Sequence, residues 1–267
     1  MPEITTAERP GVGRDGLPRP TEDRIVRLPN AVVLLDGATS PTPRERDGGW
    51  HSRHLALELA GEPAGKVADD AAGEVVGVRG RLDGDLSDHL ARAIERLARH
   101  HGLTPGDSPS STVAITRWTD TAVDVLVLAD SPVVVFTDAG PEVVADNRLR
   151  DLRGKVDRIT DWRNREHGWW VAEADPAAAH RAVRASWPRD RVRAVLMATD
   201  GVSCGVDDYD LFENWKIVLD ITSENGPEAV LDRIRAAEVE DVDRQKWPRP
   251  KVHDDQALAV IRFSVEK

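Results

Sequence analysis

The sequence predicts an α+β domain, in which strands cluster along the chain instead of alternating one for one with helices. Three apolar runs follow one another with turn residues between them, STVAITRWTD, AVDVLVLADS and PVVVFTDAG, as is typical of antiparallel strands. The segment LSDHLARAIERLARHHG instead carries leucine and isoleucine at intervals of three or four residues, which indicates an amphipathic helix. Together these patterns favour layers of helix and sheet over a doubly wound parallel sheet.

In chain order, residues 1–20 are rich in proline and glycine, and we expect a flexible arm there, followed by a single domain over residues 21–267. RIVRLP and AVVLLDG indicate two strands, and WHSRHLALELAG indicates the start of a helix. After the amphipathic helix the three runs predict an antiparallel meander, and residues 147–185 look helical and charged. The chain closes with the strand RVRAVLMATDG, the helix NGPEAVLDRIRAAEVEDVDRQ and the strand DDQALAVIRFSVE.

Composition narrows the class of protein. The 267 residues are 40% hydrophobic, enough for one sizeable core. The net charge of -11 argues against nucleic acid or an anionic membrane as a partner. The single cysteine, Cys204, fits a reducing compartment. No apolar run approaches the length of a membrane span, and the N-terminus lacks the apolar core of a signal peptide. We therefore expect a cytoplasmic protein.

Carboxylates stand at the ends of the predicted buried strands. Asp36 and Asp200 each follow an apolar run and precede a glycine, whereas Asp254 comes just before the last run. Because the end of one antiparallel strand lies beside the start of its neighbour, the three can converge at one sheet edge, joined by Glu22 and Asp23. Asp-Gly is also a common turn signal, so each site alone is ambiguous. Gathered carboxylates need a cation, and an all-oxygen set favours Mg²⁺ or Mn²⁺ over zinc.

Six short motifs extend this pattern along most of the chain. In order they are TEDR, LLDGATS, SSTVAI, VLADS, ATDGV and DDQALAVI. Their sequence and order resemble the motifs of the metal-dependent protein phosphatases, the PPM or type-2C serine/threonine phosphatases, in a divergent bacterial form. The resemblance implies a four-layer α-β-β-α sandwich, two antiparallel sheets flanked by helices, with two Mn²⁺ or Mg²⁺ ions at one end and a third, weaker ion beside them.

The resemblance also implies roles for individual residues. Asp36 would bridge the two ions, and Asp200 and Asp254 would hold one of them. The carbonyl of Gly37 would contact the other ion, and Asp130 matches the aspartate of a third, weaker site. Glu22 and Asp23 would orient metal-bound waters from the outer shell. The implied reaction is hydrolysis of a phosphomonoester by direct attack of a hydroxide that bridges the ions.

The sequence departs from the family pattern near the first Asp-Gly. Ala38 stands where the family usually has a histidine close to this motif, so the proton donor is open between a metal-bound water and His253. The family's phosphate-binding arginine lies four residues before the glutamate, a position that Pro18 occupies here. Arg19, three residues before Glu22, is the shifted candidate for binding phosphate.

A tryptophan-rich segment, DWRNREHGWWVAEADP, lies between the middle strands and the second Asp-Gly. Trp169 and Trp170 cannot both face one core if this segment is a strand, since successive side chains point to opposite faces. One hypothesis is a cover over the site in which a tryptophan packs on substrate. The alternative is that both side chains simply pack helices onto a sheet.

The substrate class stays open at this level. The most favoured function is a protein serine/threonine phosphatase, whose partner is a phosphorylated protein. A small-molecule phosphatase acting on a phosphorylated metabolite is one alternative, because fold does not determine substrate. A catalytically silent pseudophosphatase that only binds is the other, although the retained Asp36, Asp200 and Asp254 favour an active enzyme.

Overall fold

The computed structural model describes residues 1–38, 45–61 and 80–264. Strands and helices both occur throughout these ranges. The strands are β1 (Glu3–Arg9), β2 (Arg24–Leu28), β3 (Ala31–Leu35), β4 (Val113–Trp118), β5 (Ala122–Leu128), β6 (Val133–Thr137), β7 (Gly140–Val144), β8 (Val183–Pro188), β9 (Val192–Ala198) and β10 (Gln256–Arg262). The helices are α1 (Gly48–Ala60), α2 (Leu86–His101), α3 (Arg148–Leu152), α4 (Asp200–Asp207), α5 (Trp215–Asn225) and α6 (Glu228–Glu240).

The strands form two five-stranded sheets, and every neighbouring pair is antiparallel. One sheet has the order β1-β10-β9-β6-β7, and the other has the order β2-β3-β4-β5-β8. The pairs β2–β3 and β4–β5 are hairpins, as the short turns between their apolar runs predict, whereas α1 and α2 lie in the chain between β3 and β4. The α+β class and the two antiparallel sheets with flanking helices are confirmed.

Successive side chains of a strand point to opposite faces of its sheet, so each sheet packs against the other sheet on one face and against helices on the other face. In β3, Val32 and Leu34 face the space between the sheets, where they meet Met197 of the other sheet. The intervening residues, Val33 and Leu35, face α1 and α2 on the outer side. Helices α4, α5 and α6 cover the outer face of the other sheet through a separate apolar cluster. The order of layers is helix, sheet, sheet, helix.

The N-terminal segment corrects the prediction of a flexible arm over residues 1–20. Residues Glu3–Arg9 form β1, an edge strand that pairs with β10 from Glu3 opposite Arg262 to Arg9 opposite Gln256. An edge strand buries only part of one face, so EITTAER shows little apolar alternation. Its backbone hydrogen bonds to β10, which the sequence pattern does not reveal, hold it in place.

The predicted three-strand meander is correct only for its first two strands. After β5 the chain crosses to the other sheet, where β6 pairs with β9 and β7. The crossing uses the turn at Ala129, which has a φ of 69° and so lies in the left-handed region that is uncommon for non-glycine residues. The apolar run of β6 is compatible with either sheet, because both of its faces are buried.

Residues 147–185, predicted to be helical, form mostly short and irregular structure. The segment contains the five-residue α3, the 3-10 helices Ile159–Trp162 and Pro176–Arg181, and the beginning of β8. Charged residues are frequent here because much of the segment is exposed. Their frequency resembles the polar face of an amphipathic helix, but the apolar stripe that such a helix also needs is missing.

Candidate metal centre

The carboxylates that the sequence singles out stand at one end of the sandwich. Asp36 follows β3, whose last residue, Leu35, pairs with the first residue of β2. Asp200 follows β9 and begins α4, and Asp254 precedes β10, the antiparallel neighbour of β9. Asp130 follows β5. Antiparallel pairing therefore brings a strand end and a strand start together within each sheet. The single sheet edge that the sequence predicts is wrong, because Asp36 follows a strand of one sheet whereas Asp200 and Asp254 flank strands of the other.

A buried hydrogen bond joins the two sheets at this end. The Thr199 hydroxyl donates to Asp23 Oδ2 at 2.9 Å, and the Ala257 N–H donates to Thr199 Oγ1 at 3.0 Å. Asp23 lies just before β2, whereas Thr199 and Ala257 belong to the other sheet. This contact places the Asp23 side of one sheet beside the Asp200 side of the other.

A second hydroxyl network fixes the backbone of Asp36. The Asp36 N–H donates to Thr112 Oγ1 at 3.1 Å, and the Thr112 N–H donates to the Asp36 carbonyl at 2.8 Å. Thr112 Oγ1 also lies 2.6 Å from Ser131 Oγ. Thus three of the sequence motifs, LLDGATS, SSTVAI and VLADS, meet through side-chain hydroxyls. The positioning threonines Thr112 and Thr199 lie inside the motifs, but their role depends on pairing between distant segments.

The negative charges of these carboxylates raise one another's pKa values. Burial raises the pKa of Asp36 well above its usual value, and the charges of Asp23, Asp200, Asp254 and Asp130 raise it further. Burial also raises the pKa of Asp23, reinforced by Asp255 and Asp200. Burial and then Asp254 raise the pKa of Asp200 to about 7. A bound cation would relieve this repulsion.

The donor set fits a hard divalent cation. Every candidate ligand at this end is an oxygen, and Asp23 Oδ1 is buried without a hydrogen-bond partner. Within residues 1–38, 45–61 and 80–264, no three His, Cys, Asp or Glu side chains already surround a common point as ion ligands. Since bare carboxylates repel one another, we expect them to close around an ion only when its charge is present.

Lys251 is a neighbour that the sequence patterns did not single out. Its ammonium lies 2.8 Å from Asp254 Oδ1, and its side chain is only 8% exposed. Burial by itself lowers the pKa of Lys251, but the attraction of Asp254 and Asp255 outweighs it and raises the pKa above its ordinary value. The one indication of this contact in the sequence is that Lys251 stands three residues before Asp254. Many ion pairs on protein surfaces have the same spacing, so it does not identify a buried lysine.

Asp130, expected at a third ion, has a cationic neighbour of its own. Arg153, just beyond α3, places Nη2 3.4 Å from Asp130 Oδ2. Burial raises the pKa of Asp130, and the Arg153 guanidinium opposes that rise. The side chain of Asp130 is 26% exposed, so an ion could reach it from solvent.

Gly48, the first residue of α1, lies against the Asp36–Gly37 motif. Gly37 packs on the backbone of Gly48, where a methyl group on either residue would collide with the other chain segment. Residues 39–44, between the two glycines, lie outside the described residues. Gly37 also donates its N–H to the Glu22 carbonyl at 3.2 Å. The close approach explains why glycines occupy both positions.

His51 on α1 contacts Ser111, a residue that pairs with Gly37 directly after Asp36. Its Nδ1 lies 2.9 Å from Ser111 Oγ, and Ser111 forms a β-bridge with Gly37. The side chain is fully buried, and its Nε2 has no hydrogen-bond partner. Burial, with His54 and Arg163, lowers the pKa of His51 to about 3. A neutral imidazole of this kind is a poor proton donor at neutral pH.

The other two candidates at the periphery of the site have local partners. His253 directs Nδ1 to Glu238 Oε2 on α6 at 2.9 Å, and burial lowers the pKa of His253. It is therefore anchored to a helix and is not a free surface histidine. Arg19 pairs with Asp15 at 2.9 Å, and its side chain is 57% exposed, so its guanidinium is tied to its own loop.

Trp169 and Trp170 face different clusters, as their adjacent positions require, but both are only 9% exposed. Trp170 belongs to the core between α1, α2 and the adjoining sheet. Trp169 donates Nε1–H to the Ile159 carbonyl at 2.9 Å and packs in a small cluster that includes Ala129. The packing alternative accounts for both side chains. Trp169 packs in the same cluster as Ala129, the neighbour of Asp130, and exposes little surface to a substrate.

A match to a family model identifies the class of protein to which the chain belongs. The family model for protein phosphatase 2C matches residues 19–234, and the chain belongs to this family. No curated protein sequence matches the chain. Solved structures of similar fold include bacterial serine/threonine phosphatases, and at these low identities their likeness concerns the fold.

Three of these structures illustrate the likeness. The phosphatase PstP/Ppp of Mycobacterium tuberculosis is 14% identical, with a TM-score of 0.59 over 98% of this chain and 99% of that chain. The catalytic domain of PstP in complex with two manganese ions is also 14% identical, with a TM-score of 0.58 over 98% and 97%. Stp1 of Staphylococcus aureus is 14% identical, with a TM-score of 0.61 over 99% and 96%.

None of the helices in the described ranges has the length and apolarity that crossing a bilayer would need.

Proposed function

We propose that this enzyme hydrolyses phosphomonoesters with Mn²⁺ or Mg²⁺, and that its substrates are phosphoserine and phosphothreonine in proteins. The observation that carries the proposal is the set of mutually repelling carboxylates at one end of the sandwich, with Asp36 at its centre. Holding like charges together costs stability, and catalysis with a cation gives a reason to keep them. The single cysteine, Cys204, fits a reducing compartment, and we place the enzyme in the cytoplasm.

The residues divide into those that bind ions and those that position them. We assign Asp36 to both ions, and Asp200 and Asp254 to one of them. The Gly37 carbonyl serves the other ion, and Asp130 serves a third, weaker ion. Glu22 and Asp23 belong to the outer shell and orient metal-bound waters. A hydrogen bond from the Thr199 hydroxyl fixes the Asp23 carboxylate in place.

When bound, two such ions acidify a shared water and neutralise the oxygens of a phosphoryl group. The chain contributes a rigid frame for this chemistry. Thr112 holds the backbone of Asp36 from both sides, and α4 starts at Asp200, so helix and strand fix that carboxylate. Arg19 is the candidate for binding phosphate, which requires it to leave Asp15 when substrate is present.

The first experiment tests metal-dependent hydrolysis. Wild-type protein is expected to hydrolyse p-nitrophenyl phosphate with added Mn²⁺ and to lose this activity in EDTA. Asp36→Asn is expected to abolish turnover while leaving the far-UV spectrum of the protein unchanged. Asp190→Asn, at an exposed position in the short 3-10 helix Arg189–Arg191, is a matched control that should keep full activity. Turnover by Asp36→Asn at the wild-type rate would refute the assignment of Asp36.

The second experiment tests the substrate class. We expect higher kcat/KM on phosphoserine and phosphothreonine peptides than on a panel of small phosphorylated metabolites. A reversed preference would replace the protein substrate by a metabolite while keeping the site. Absence of hydrolysis on every substrate, with Mn²⁺ binding intact, would indicate a binding pseudophosphatase.

A further inference from the structure

A buried ammonium lies inside the acidic end of the sandwich. Lys251 Nζ is 2.8 Å from Asp254 Oδ1, 3.8 Å from Glu22 Oε2 and 3.9 Å from Asp255 Oδ2. Lysine is rarely this buried unless its charge is compensated, and here three carboxylates compensate it. Two of these carboxylates come from the turn before β10, and the third comes from the residues before β2.

The surrounding contacts fix the ammonium in this place. Asp254 Oδ1 accepts a further hydrogen bond from the Asp255 N–H at 3.0 Å. Asp255 Oδ1 accepts from the Gly11 N–H at 2.7 Å, which ties the turn to the loop after β1. Backbone N–H groups thus fix the carboxylates of Asp254 and Asp255. The Lys251 ammonium therefore binds to anionic groups whose positions are already fixed, unlike a lysine in an ion pair between mobile surface side chains.

The position of Lys251 conflicts with that of a divalent ion. Asp254 is one of the residues that we assign to an ion, and its Oδ1 is the atom that Lys251 contacts. A carboxylate oxygen that is shared with an ammonium is a weaker ligand, and a fixed monocation repels a divalent cation nearby. The same ammonium offsets the repulsion among the carboxylates when no ion is bound.

We propose that Lys251 is a resident counterion of the acidic site, which stabilises the metal-free protein and must leave Asp254 when a divalent cation binds there. The proposal rests on the proposed metal site and adds a second property to it. Lys251 sets the metal concentration at which the enzyme loads, because each binding event must displace an internal cation. Lys251 is thus a positioning residue and does not contact substrate.

The test compares Mn²⁺ binding to metal-free wild-type protein, Lys251→Met and Lys251→Arg by isothermal titration calorimetry. We expect Lys251→Met to bind Mn²⁺ roughly tenfold more tightly, because Asp254 is free and the site is more negative. Lys251→Arg keeps the charge and should bind no more tightly than wild type. Lys216→Met removes an exposed lysine that pairs with Asp220 at 2.6 Å and should leave Mn²⁺ affinity unchanged.

Stability gives an independent measurement. In EDTA, Lys251→Met is expected to melt at a lower temperature than wild type, and saturating Mn²⁺ should remove most of that difference. A purely structural lysine would predict lower stability with and without Mn²⁺, together with unchanged or weaker Mn²⁺ binding. That combination would overturn the proposal.

Lysine labelling of the wild-type protein keeps the proposal testable if the variants do not fold. With an amine-reactive ester and mass spectrometry, Lys251 should react slowly in metal-free protein and faster once Mn²⁺ displaces it. Mn²⁺ binding without any change in Lys251 labelling would refute displacement but leave the proposed function intact. If wild type binds no Mn²⁺ and Asp36→Asn changes nothing, the metal site itself is wrong.

Discussion

Replacing His51 tests whether the histidine nearest the Asp-Gly motif can act as an acid. His51 is fully buried with its Nδ1 on Ser111, and its pKa is lowered from 6.5 to about 3. The unfolded chain takes up a proton on this imidazole below about pH 6.5, whereas the native protein does not until about pH 3. The stability that the depressed pKa provides is therefore present above about pH 6.5 and is lost as the pH falls.

The magnitude follows from the interval over which only the unfolded state binds the proton. Between about pH 6.5 and about pH 4 this interval is about 2.5 units, and each unit corresponds to about 1.36 kcal/mol. Wild type should thus lose about 3 kcal/mol of unfolding free energy through His51 alone between about pH 7 and about pH 4. His51→Gln cannot titrate and should not show this loss.

The measurement is urea unfolding of metal-free wild type and His51→Gln at several pH values, compared as a difference. The difference removes the titration of distant groups, some of which, such as Glu238 with its pKa raised to about 7, change stability in the opposite direction. His180→Gln, at a residue whose side chain is 54% exposed, controls for the loss of an imidazole as such.

A constant difference between wild type and His51→Gln across this pH range would refute the reasoning. The same conclusion would follow if the imidazole of His51, observed by NMR in the native protein, titrates near its ordinary pKa. In that case His51 could carry a proton at neutral pH, and it would become a candidate general acid beside Gly37.

Three further predictions concern packing, positioning and proton transfer. Trp170→Ala should lower stability by about 3–5 kcal/mol and leave KM per folded molecule unchanged, since Trp170 packs in the core; a raised KM at unchanged melting temperature would restore the cover hypothesis. Thr199→Val should weaken Mn²⁺ binding roughly tenfold in calorimetry, because Asp23 loses its donor; unchanged affinity would remove Asp23 from the outer shell. His253→Ala should slow hydrolysis of a substrate with a poor leaving group more than one with a good leaving group if His253 donates the proton, and equal losses would exclude it.

The sequence by itself determines which residues can gather at the acidic end. Asp36 and Asp200 follow buried strands, and Asp254 precedes one, so antiparallel pairing brings strand ends and starts together within each sheet. The packing of the two sheets then brings Asp36 to the same end as Asp200 and Asp254. The continuous apolar run of β3 and the apolar period of α2 are likewise visible in the sequence, because burial on both faces or on one face imposes these patterns on the residues.

Three of the four edge strands were not predicted from the sequence. β1, β7 and β8, which the sequence does not reveal, all lie at sheet edges. Their side chains are largely half-buried or exposed, so hydrogen bonding to a neighbour, and not an apolar pattern, defines them. The crossing of the chain from β5 to β6 was hidden for a related reason, since a strand buried on both faces fits either sheet.

The tertiary structure alone decided which neighbours each carboxylate has. Lys251 beside Asp254 and Glu22, Thr199 beside Asp23, and the buried His51 beside Ser111 each depend on contacts between separate segments of the chain. Local sequence fixes where a side chain leaves a strand or a turn, but the charge and hydrogen bonds that surround it come from whichever segments the fold packs against it.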